Sequence, residues 1–300
     1  MKNPDRRNKK YFRTLRNSYG WRFVTRSVAD YLGLITRSFN DIFDRERYES
    51  TLRAEALQRE VEALHNKMKV LKNKYSGQRC FILGNGPSLR NTDLSLLKNE
   101  ITFGSNRLYI LFEELGFTTT FYLAFDPLVV EHYHLDIDQI NSIKFTPTSH
   151  KHYFTLGDRV ILLDNGRPLT FAYNLNEGVW SGGSVTYAAL QLAFHMGFDK
   201  AILVGVDHSY DSTRSNSQDR VVKVSEGVDP NHFSSEYFGK GVSWLVPNLE
   251  LKELGYRMAK YAFEADGREI LDATIGGKLN VFPKVDYYSL FRSGDPDMLR

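Results

Sequence analysis

Short hydrophobic runs alternate with longer amphipathic stretches along most of this chain, and several of the runs end in small polar residues. Runs of this length are typical of parallel strands buried on both faces, and the amphipathic stretches are long enough for helices. Because the two alternate, we predict an α/β fold with a doubly wound, mostly parallel sheet. The predicted strands are 81–83, 101–106, 121–126, 159–164, 201–207 and 268–274, and the main predicted helices are 108–115, 184–196 and 249–265.

An N-terminal extension precedes the first predicted strand. Residues 41–75 contain no Gly or Pro, which predicts one long helix. We therefore divide the chain into a basic aromatic arm at 1–40, a helical coiled-coil segment at 41–76 and an α/β nucleotide-binding catalytic domain at 77–292. A heptad seam within 54–71 would either join two copies in a homo-oligomer, which we favour, or pack back on the domain. Its members are Leu57, Val61, Leu64, Met68 and Leu71.

Charge separates the arm from the rest of the chain. Residues 1–30 carry nine Lys or Arg and two acids, a net charge of +7, which leaves −4 for the remainder of a chain whose total is +3. Aromatic residues interleaved with this charge favour binding of residues 1–35 to an anionic membrane surface. A solvated tail is the alternative, and RNA binding is a weaker one. The acidic remainder argues against a nucleic-acid-binding domain.

Cysteine usage and hydropathy indicate the compartment. Cys80 is the only cysteine, so we expect neither a disulfide framework nor a cysteine zinc site, and we expect Cys80 itself to be buried. No run approaches the roughly 20 apolar residues of a membrane span, and the N-terminus lacks a signal-peptide core. We therefore expect a reducing, cytoplasmic setting, with peripheral attachment to the inner face of the cytoplasmic membrane if the arm binds lipid.

The first predicted strand opens into Gly84, Asn85, Gly86, Pro87 and Ser88. The glycines would let backbone N–H groups approach an anion, and the proline suits the first turn of a helix. The loop lacks the Gly-Lys-Ser/Thr ending of a P-loop and the third glycine of a dinucleotide fingerprint. We interpret it as a nucleotide or phosphate loop, with a plain strand-to-helix turn as the alternative.

Polar side chains follow four of the predicted strands. Ligands of open α/β sheets bind beyond the carboxyl ends of the strands, so we expect these side chains to share one cleft. Two carboxylates there would suit Mg²⁺ or a ribose, and the residues alone do not decide between the two. The four residues are Asn85, Asn106, Asp126 and Asp207.

A second anion site is predicted where helix 184–196 begins. Ser181 or Ser184 would cap the helix, and Gly182 and Gly183 would leave its N–H groups open to a ligand. An ordinary capped helix start is the alternative.

Residues 211–247 interrupt the alternation and are long enough to form an active-site lid. His232 is a candidate general base within it, although a single histidine more often has a structural role. Tyr237 and Lys240 are candidates for stabilising phosphate charge.

In this order, the motifs resemble those of known enzymes. Ile82–Ser88 is similar to the opening loop of the bacterial sialyltransferases of glycosyltransferase family 42. Phe103–Arg107 resembles their second strand end, where an Asn contacts the nucleotide. Trp180–Gly183 resembles their Ser-Gly loop, and Val204–Asp207 resembles the strand before their cytidine-contacting segment.

Residues 78–291 resemble the DUF115 proteins even more closely. That group is named for archaeal-type 6-hydroxymethylpterin diphosphokinase and includes flagellin-modifying, motility-associated factors. The segments that carry this resemblance are Asn231–Phe233, Tyr237–Gly241 and Gly276–Pro283.

The resemblance implies a Rossmann-like, sialyltransferase-like GT-A variant that takes a CMP-sugar donor and has no firm cofactor or metal. Arg107 joins Asn106 as an implied nucleotide contact. The chain departs from the sialyltransferases in its lid, because their Tyr-x-Gly-His ends in the base, whereas Lys240 follows Gly239 here. The base is then either His232 or absent. Asp126 also stands where those enzymes have Asn.

Three functions remain open. A glycosyltransferase, which we favour, would move a CMP-activated nonulosonate or Kdo-like sugar onto a cell-surface glycan or lipid-linked acceptor. His232 would deprotonate the acceptor, Asp207 and Tyr210 would hold the ribose or base, and Tyr237 or Lys240 would stabilise the leaving phosphate. A pyrophosphokinase would instead use ATP, a pterin alcohol and Mg²⁺ linked to Asp126 and Asp207. A non-catalytic scaffold that binds a sugar nucleotide is the third.

Overall fold

The computed structural model describes residues 30–36, 42–55, 58, 62, 66–209 and 222–292. The chain divides into two units, Met1–Ala63 and Leu64–Arg300. The first unit is helical at 30–36 and 42–55. None of the helices within the described residues is both long enough and apolar enough to cross a membrane.

The second unit is built on parallel strands, as predicted. The strands of the described residues are β1 (Arg79–Leu83), β2 (Thr102–Ser105), β3 (Phe121–Leu123), β4 (Ile143–Pro147), β5 (Val160–Leu163), β6 (Lys200–Val204), β7 (Val222–Val224), β8 (Ser243–Leu245) and β9 (Glu269–Asp272). Seven of them form one sheet in the order β5-β4-β3-β2-β1-β6-β9. Every pairing in this sheet is parallel, whereas β7 and β8 form a separate antiparallel pair.

Helices connect the strands. The α-helices after β1 are α1 (Phe112–Leu115), α2 (Pro127–Gln139), α3 (Val185–His195) and α4 (Leu249–Ala265). The helix predicted at 108–115 is present in two pieces, a 3₁₀ turn at Leu108–Leu111 followed by α1. The other 3₁₀ helices are Pro87–Asn91, Leu94–Leu97, Thr148–Tyr153, Leu175–Glu177 and Tyr287–Phe291.

Two hydrophobic clusters cover the two faces of the sheet. Successive side chains of a strand point to opposite faces, so Cys80 and Ile82 join one cluster and Phe81 and Leu83 join the other. Cys80 is fully buried, and burial raises the pKa of its thiol. Coverage of both faces is what a doubly wound parallel sheet requires.

β4 and α2 are elements that the hydrophobic pattern does not predict. β4 contains the polar residues Lys144 and Thr146, both buried, which break its apolar run. The Thr146 hydroxyl donates to the Ala124 carbonyl at 2.8 Å, and burial lowers the pKa of Lys144. Tertiary contacts therefore bury side chains that the sequence pattern places outside a strand.

The end of the predicted coiled-coil helix belongs to the second unit. Met68 and Leu71 are buried in the hydrophobic cluster that contains Ile82. The helix ends at Leu71, earlier than predicted, and His195 Nε2 lies 3.0 Å from the Met68 carbonyl oxygen. This end of the seam therefore packs on the α/β unit, which was the alternative to self-association. The other seam positions, Leu57, Val61 and Leu64, lie outside the described residues.

Candidate functional site

The strand order locates the site. From β1 the chain passes outward through β2, β3, β4 and β5, and then returns to the other side of β1 as β6. The carboxyl ends of β1 and β6 therefore flank the point where the strand order reverses, which is where ligands bind in sheets of this kind. Asn85 follows β1, Asn106 follows β2 and Asp207 follows β6, so these three residues lie on adjacent strand ends.

Loop 84–88 is packed tightly against the end of β6. The backbone N–H groups of Gly84 and Gly86 donate to the carbonyls of Val204 and Gly205 at 2.8 and 2.9 Å. A Cβ added at Gly84 would lie 2.2 Å from the Gly205 oxygen, and one at Gly86 would lie 1.8 Å from Asp207 Oδ2. The prediction that these glycines open amides to an anion is therefore corrected, because their amides and the space beside them serve the protein itself.

Asp207 holds the same loop in place through two hydrogen bonds. Its Oδ1 accepts from the Ser88 backbone N–H at 3.1 Å, and its Oδ2 accepts from the Ser88 hydroxyl at 2.7 Å. Burial raises the pKa of Asp207, while the two bonds from Ser88 oppose that shift. Pro87 begins a 3₁₀ helix, as its position suggested. Asp207 and Ser88, which we predicted as ligand contacts, thus bind each other.

Asn85 and Asn106 differ from Asp207 in having unused acceptors. The Asn85 amide nitrogen lies 3.2 Å from Ser105 Oγ and 3.3 Å from Ser105 O, which fixes the side chain. Among the described residues, Asn85 Oδ1 and Asn106 Oδ1 are buried and lack a hydrogen-bond partner. Leaving a buried acceptor unpaired costs about 1–3 kcal/mol. Thr119 Oγ1 and His195 Nδ1 are also buried and unpaired among the described residues, but Asn85 and Asn106 are the two that follow adjacent strand ends.

Loop 229–239 reaches this place from the far end of the predicted lid. The Phe233 backbone N–H donates to the Asn85 carbonyl at 3.0 Å. Arg90 Nε donates to the Phe233 carbonyl, which fixes the same point from the other side. The loop that carries His232 is thus attached directly to loop 84–88.

Arg107 and Tyr237 hold the second half of this loop. The Arg107 backbone N–H donates to the Tyr237 hydroxyl at 3.2 Å, and its guanidinium donates to the carbonyls of Glu236, at 3.0 Å, and Tyr237. The guanidinium also stacks on the Tyr133 ring, 3.9 Å from its centroid. Tyr237 is 1% exposed. Both residues therefore anchor this loop. The burial of Tyr237 argues against its predicted phosphate contact, and the predicted nucleotide contact of Arg107 stays a prediction.

His232, the candidate base, has a carboxylate partner in the structure. Its Nδ1 lies 2.7 Å from Oδ2 of Asp229, and the Asp229 side chain is 6% exposed. The imidazole stacks on the Tyr237 ring at 3.9 Å with an interplanar angle of 3°. Asp229 is a residue that sequence reasoning missed, although an acid three residues before a histidine was a usable signal. Lys240, in contrast, is exposed, with its stem beside Gly227.

Asp126 caps α2 rather than facing Asp207. Its Oδ1 accepts from the backbone N–H groups of Leu128 and Val129, at 2.9 and 3.3 Å, and burial raises its pKa. Its strand, β3, is separated from β6 by β2 and β1, so the two strand ends lie about 14 Å apart at the usual spacing. A single Mg²⁺ would need both carboxylates within about 2.1 Å. Asp126 and Asp207 therefore do not fit as its joint ligands.

α3 begins directly after residues 181–184, the segment predicted to cap it and to bind an anion. Ser184 occupies the N-cap position, but its side chain makes no capping bond; its Oγ lies 2.9 Å from the Tyr256 hydroxyl. Gly182 is required because a Cβ there would lie 2.8 Å from the Tyr187 ring, and Gly183 is exposed. The first turn of this helix therefore has no capping bond from the Ser184 side chain, and the anion site stays a prediction.

α4 borders the cleft at the end of β6. Glu253 Oε1 lies 3.0 Å from Nε2 of His208, and burial lowers the pKa of that histidine. The positive charge of Lys252 adds to the lowering of the His208 pKa and opposes the increase that burial causes in the Asp126 pKa. Sequence reasoning missed both α4 residues because nothing local links them to the strand ends. Tyr210, a predicted ribose or base contact, lies outside the described residues.

Comparison with known proteins places these features in context. The family described as "6-hydroxymethylpterin diphosphokinase MptE-like" matches residues 55–213, more than half of the chain. No curated protein sequence matches the chain significantly.

Among solved structures, the chain is similar to the MAf glycosyltransferase from Magnetospirillum magneticum AMB-1, with 16% identity and a TM-score of 0.47. That similarity covers 78% of this chain but only 40% of that chain. The sialyltransferase CstII from Campylobacter jejuni, solved with cytidine-5′-monophosphate, gives 14% identity and a TM-score of 0.42 over 74% of this chain and 87% of that chain. Its complex with CMP-3FNeuAc gives 14% identity and a TM-score of 0.40 over 69% and 86%.

Proposed function

We propose that this chain, which belongs to the 6-hydroxymethylpterin diphosphokinase MptE-like family, is a transferase that moves a sugar from a nucleotide donor to a hydroxyl group. The observation that carries the proposal is the His232–Asp229 pair beside loop 84–88. The backbone N–H of Phe233, the residue after His232, donates to the backbone carbonyl of Asn85, whose side-chain oxygen is one of the unpaired acceptors. A histidine held by a carboxylate suits removal of a proton from an attacking hydroxyl.

Asn85 and Asn106 are the proposed contacts to the nucleotide. Their unpaired oxygens favour a ligand that brings N–H or O–H donors, and the cytosine amino group and ribose hydroxyls both do so. We therefore propose CMP as the carrier. A nonulosonate or Kdo-like donor adds a phosphate and a carboxylate, and the open N-terminus of α3 supplies a site for one of these anions.

The acceptor in this proposal is a cell-surface glycan or a lipid-linked saccharide. The nine Lys or Arg within residues 1–30 would hold the protein on the anionic inner face of the cytoplasmic membrane, where a lipid-linked acceptor is presented.

A second candidate function is favoured by the family's description. A diphosphokinase acting on a pterin alcohol also needs a hydroxyl deprotonated, and His232 would serve that reaction equally well. Its metal would need ligands other than Asp126 and Asp207 acting together, because their strand ends lie about 14 Å apart.

Nucleotide binding followed by thermal unfolding tests the proposal. The full chain would be unfolded with CMP, CDP, UDP, GDP or ATP, each with Mg²⁺ and with EDTA. A ligand at 100 times its Kd stabilises the folded state by about 2.7 kcal/mol, enough to raise the Tm measurably. We expect CMP to raise the Tm equally with and without Mg²⁺. A rise in Tm with ATP that requires Mg²⁺ would support the diphosphokinase instead. No rise with any of the nucleotides would contradict nucleotide binding in this cleft.

A further inference from the structure

Asp229 is held in one orientation by bonds to its own loop. Its Oδ1 accepts from the Asn231 backbone N–H at 2.9 Å, and its backbone N–H donates to the Ser235 carbonyl at 2.9 Å. The side chain is 6% exposed. Oδ1 is therefore engaged, and Oδ2 is the oxygen that faces the histidine.

The imidazole of His232 is held as firmly. One face lies against the Tyr237 ring, and the Phe238 ring meets it edge-on with centroids 5.3 Å apart. Nδ1 lies 2.7 Å from Asp229 Oδ2. A carboxylate can only accept a hydrogen bond, so Nδ1–H donates a hydrogen bond to Asp229. In the neutral ring the lone pair is then on Nε2.

We propose that Asp229 is the positioning residue of the transfer reaction, fixing His232 in the tautomer whose Nε2 accepts the acceptor's proton. This inference rests on the proposed function. In the step itself, the proton of the acceptor hydroxyl passes to Nε2 and the oxygen forms a bond to the donor sugar carbon. The bond from that carbon to the phosphate oxygen breaks, and its electron pair leaves with the nucleotide. Asp229 Oδ2 continues to accept the hydrogen bond from Nδ1–H throughout.

The substitution Asp229→Asn separates positioning from packing. The Asn231 N–H continues to require an acceptor at the position of Oδ1, so the new NH₂ group replaces Oδ2 and faces Nδ1. An NH₂ group donates, so Nδ1 becomes the acceptor and the ring proton moves to Nε2. The side chain keeps its size, but Nε2 now carries a proton and cannot accept one from the acceptor hydroxyl.

The test compares Asp229→Asn with Asp158→Asn, the same chemical change at an exposed residue. With a CMP-sugar donor and a saccharide acceptor, we expect kcat to fall by about 10²–10⁴-fold in Asp229→Asn, the range contributed by a general base. The Kd for CMP should be unchanged in both variants, and Asp158→Asn should turn over normally. Full turnover by Asp229→Asn would overturn the proposal.

A measurement that needs no turnover keeps this test independent of the proposed function. Nitrogen NMR of histidine-labelled full chain, assigned to His232 by its loss in His232→Ala, should show the proton on Nδ1 at neutral pH. In Asp229→Asn it should be on Nε2. A native proton on Nε2 would refute the role of Asp229 even if Asp229→Asn fails to fold. Full activity of His232→Ala would instead refute His232 as base and leave the tautomer result intact.

Discussion

The four polar residues predicted to share a cleft at the strand ends fall into two pairs. Asp126 and Asp207 give their oxygens to protein donors, the first turn of α2 and Ser88 respectively. Asn85 and Asn106 each keep a buried oxygen that no described residue satisfies. Both pairs lie just beyond the carboxyl ends of their strands, but they make different contacts.

The difference follows from the free energy of leaving each group unpaired. A buried carboxylate without partners costs far more than an amide oxygen, so a stable fold satisfies its acids internally. An unpaired amide oxygen costs about 1–3 kcal/mol, an amount that a bound ligand can return. The satisfied acids therefore have a structural role, and the unsatisfied amides are the pair that we propose as ligand contacts.

The largest expected effect is a loss of stability when the space between Gly86 and Asp207 is filled. Gly86→Ala places a methyl group 1.8 Å from Asp207 Oδ2, so loop 84–88 must shift. We expect the free energy of unfolding to fall by about 1–3 kcal/mol in urea denaturation. Gly157→Ala is the matched control, because no atom lies within 4 Å of its added Cβ. Equal stability of the two variants would show that loop 84–88 is not packed against Asp207 in solution.

A smaller effect should separate the amide pair from the acid pair in ligand binding. Asn106→Gly removes one unpaired oxygen and tolerates the local φ of 54°. We expect the Kd for CMP, measured by calorimetry, to rise by about 10-fold, the value of one hydrogen bond. Asp126→Asn keeps the cap of α2 and should bind CMP as the native chain does. If Asp126→Asn weakens CMP binding as much as Asn106→Gly does, the distinction between the amide pair and the acid pair is wrong.

The smallest effect is a pH dependence of stability. Burial raises the pKa of Asp207 above its unfolded value, so the folded state binds the proton more tightly. Its contribution to stability is full below the unfolded pKa and is lost as the pH rises through the folded pKa. The Tm of Asp207→Asn relative to the native chain should therefore increase as the pH is raised from about 4. An opposite slope would show that the bonds from Ser88 outweigh burial.

The sheet could be predicted because its strands are apolar runs that need burial on both faces. β4 could not, because burial of Lys144 and Thr146 depends on partners contributed by other strands. The end of the heptad seam was equally ambiguous. Met68 and Leu71 have the spacing of a coiled coil, but the surface they bury against is the sheet unit.

In the candidate site, too, some contacts could be predicted from the sequence and others could not. Asn85 and Asn106 were predictable as strand-end residues, whereas the use of the glycine amides by Val204 and Gly205 was not. Glycine permits close approach, but its presence does not say whether a ligand or another strand makes that approach.

The bond between Ser88 and Asp207 joins residues 119 positions apart. At ordinary rates of translation, roughly ten seconds separate the emergence of the two from a ribosome. During that interval the segment after β1 has no partner for its amides, and β1 has one of its two neighbouring strands yet to be made. Until β6 is made, one edge of the apolar strand β1 has no partner within the chain, and such an edge is open to pairing with other chains.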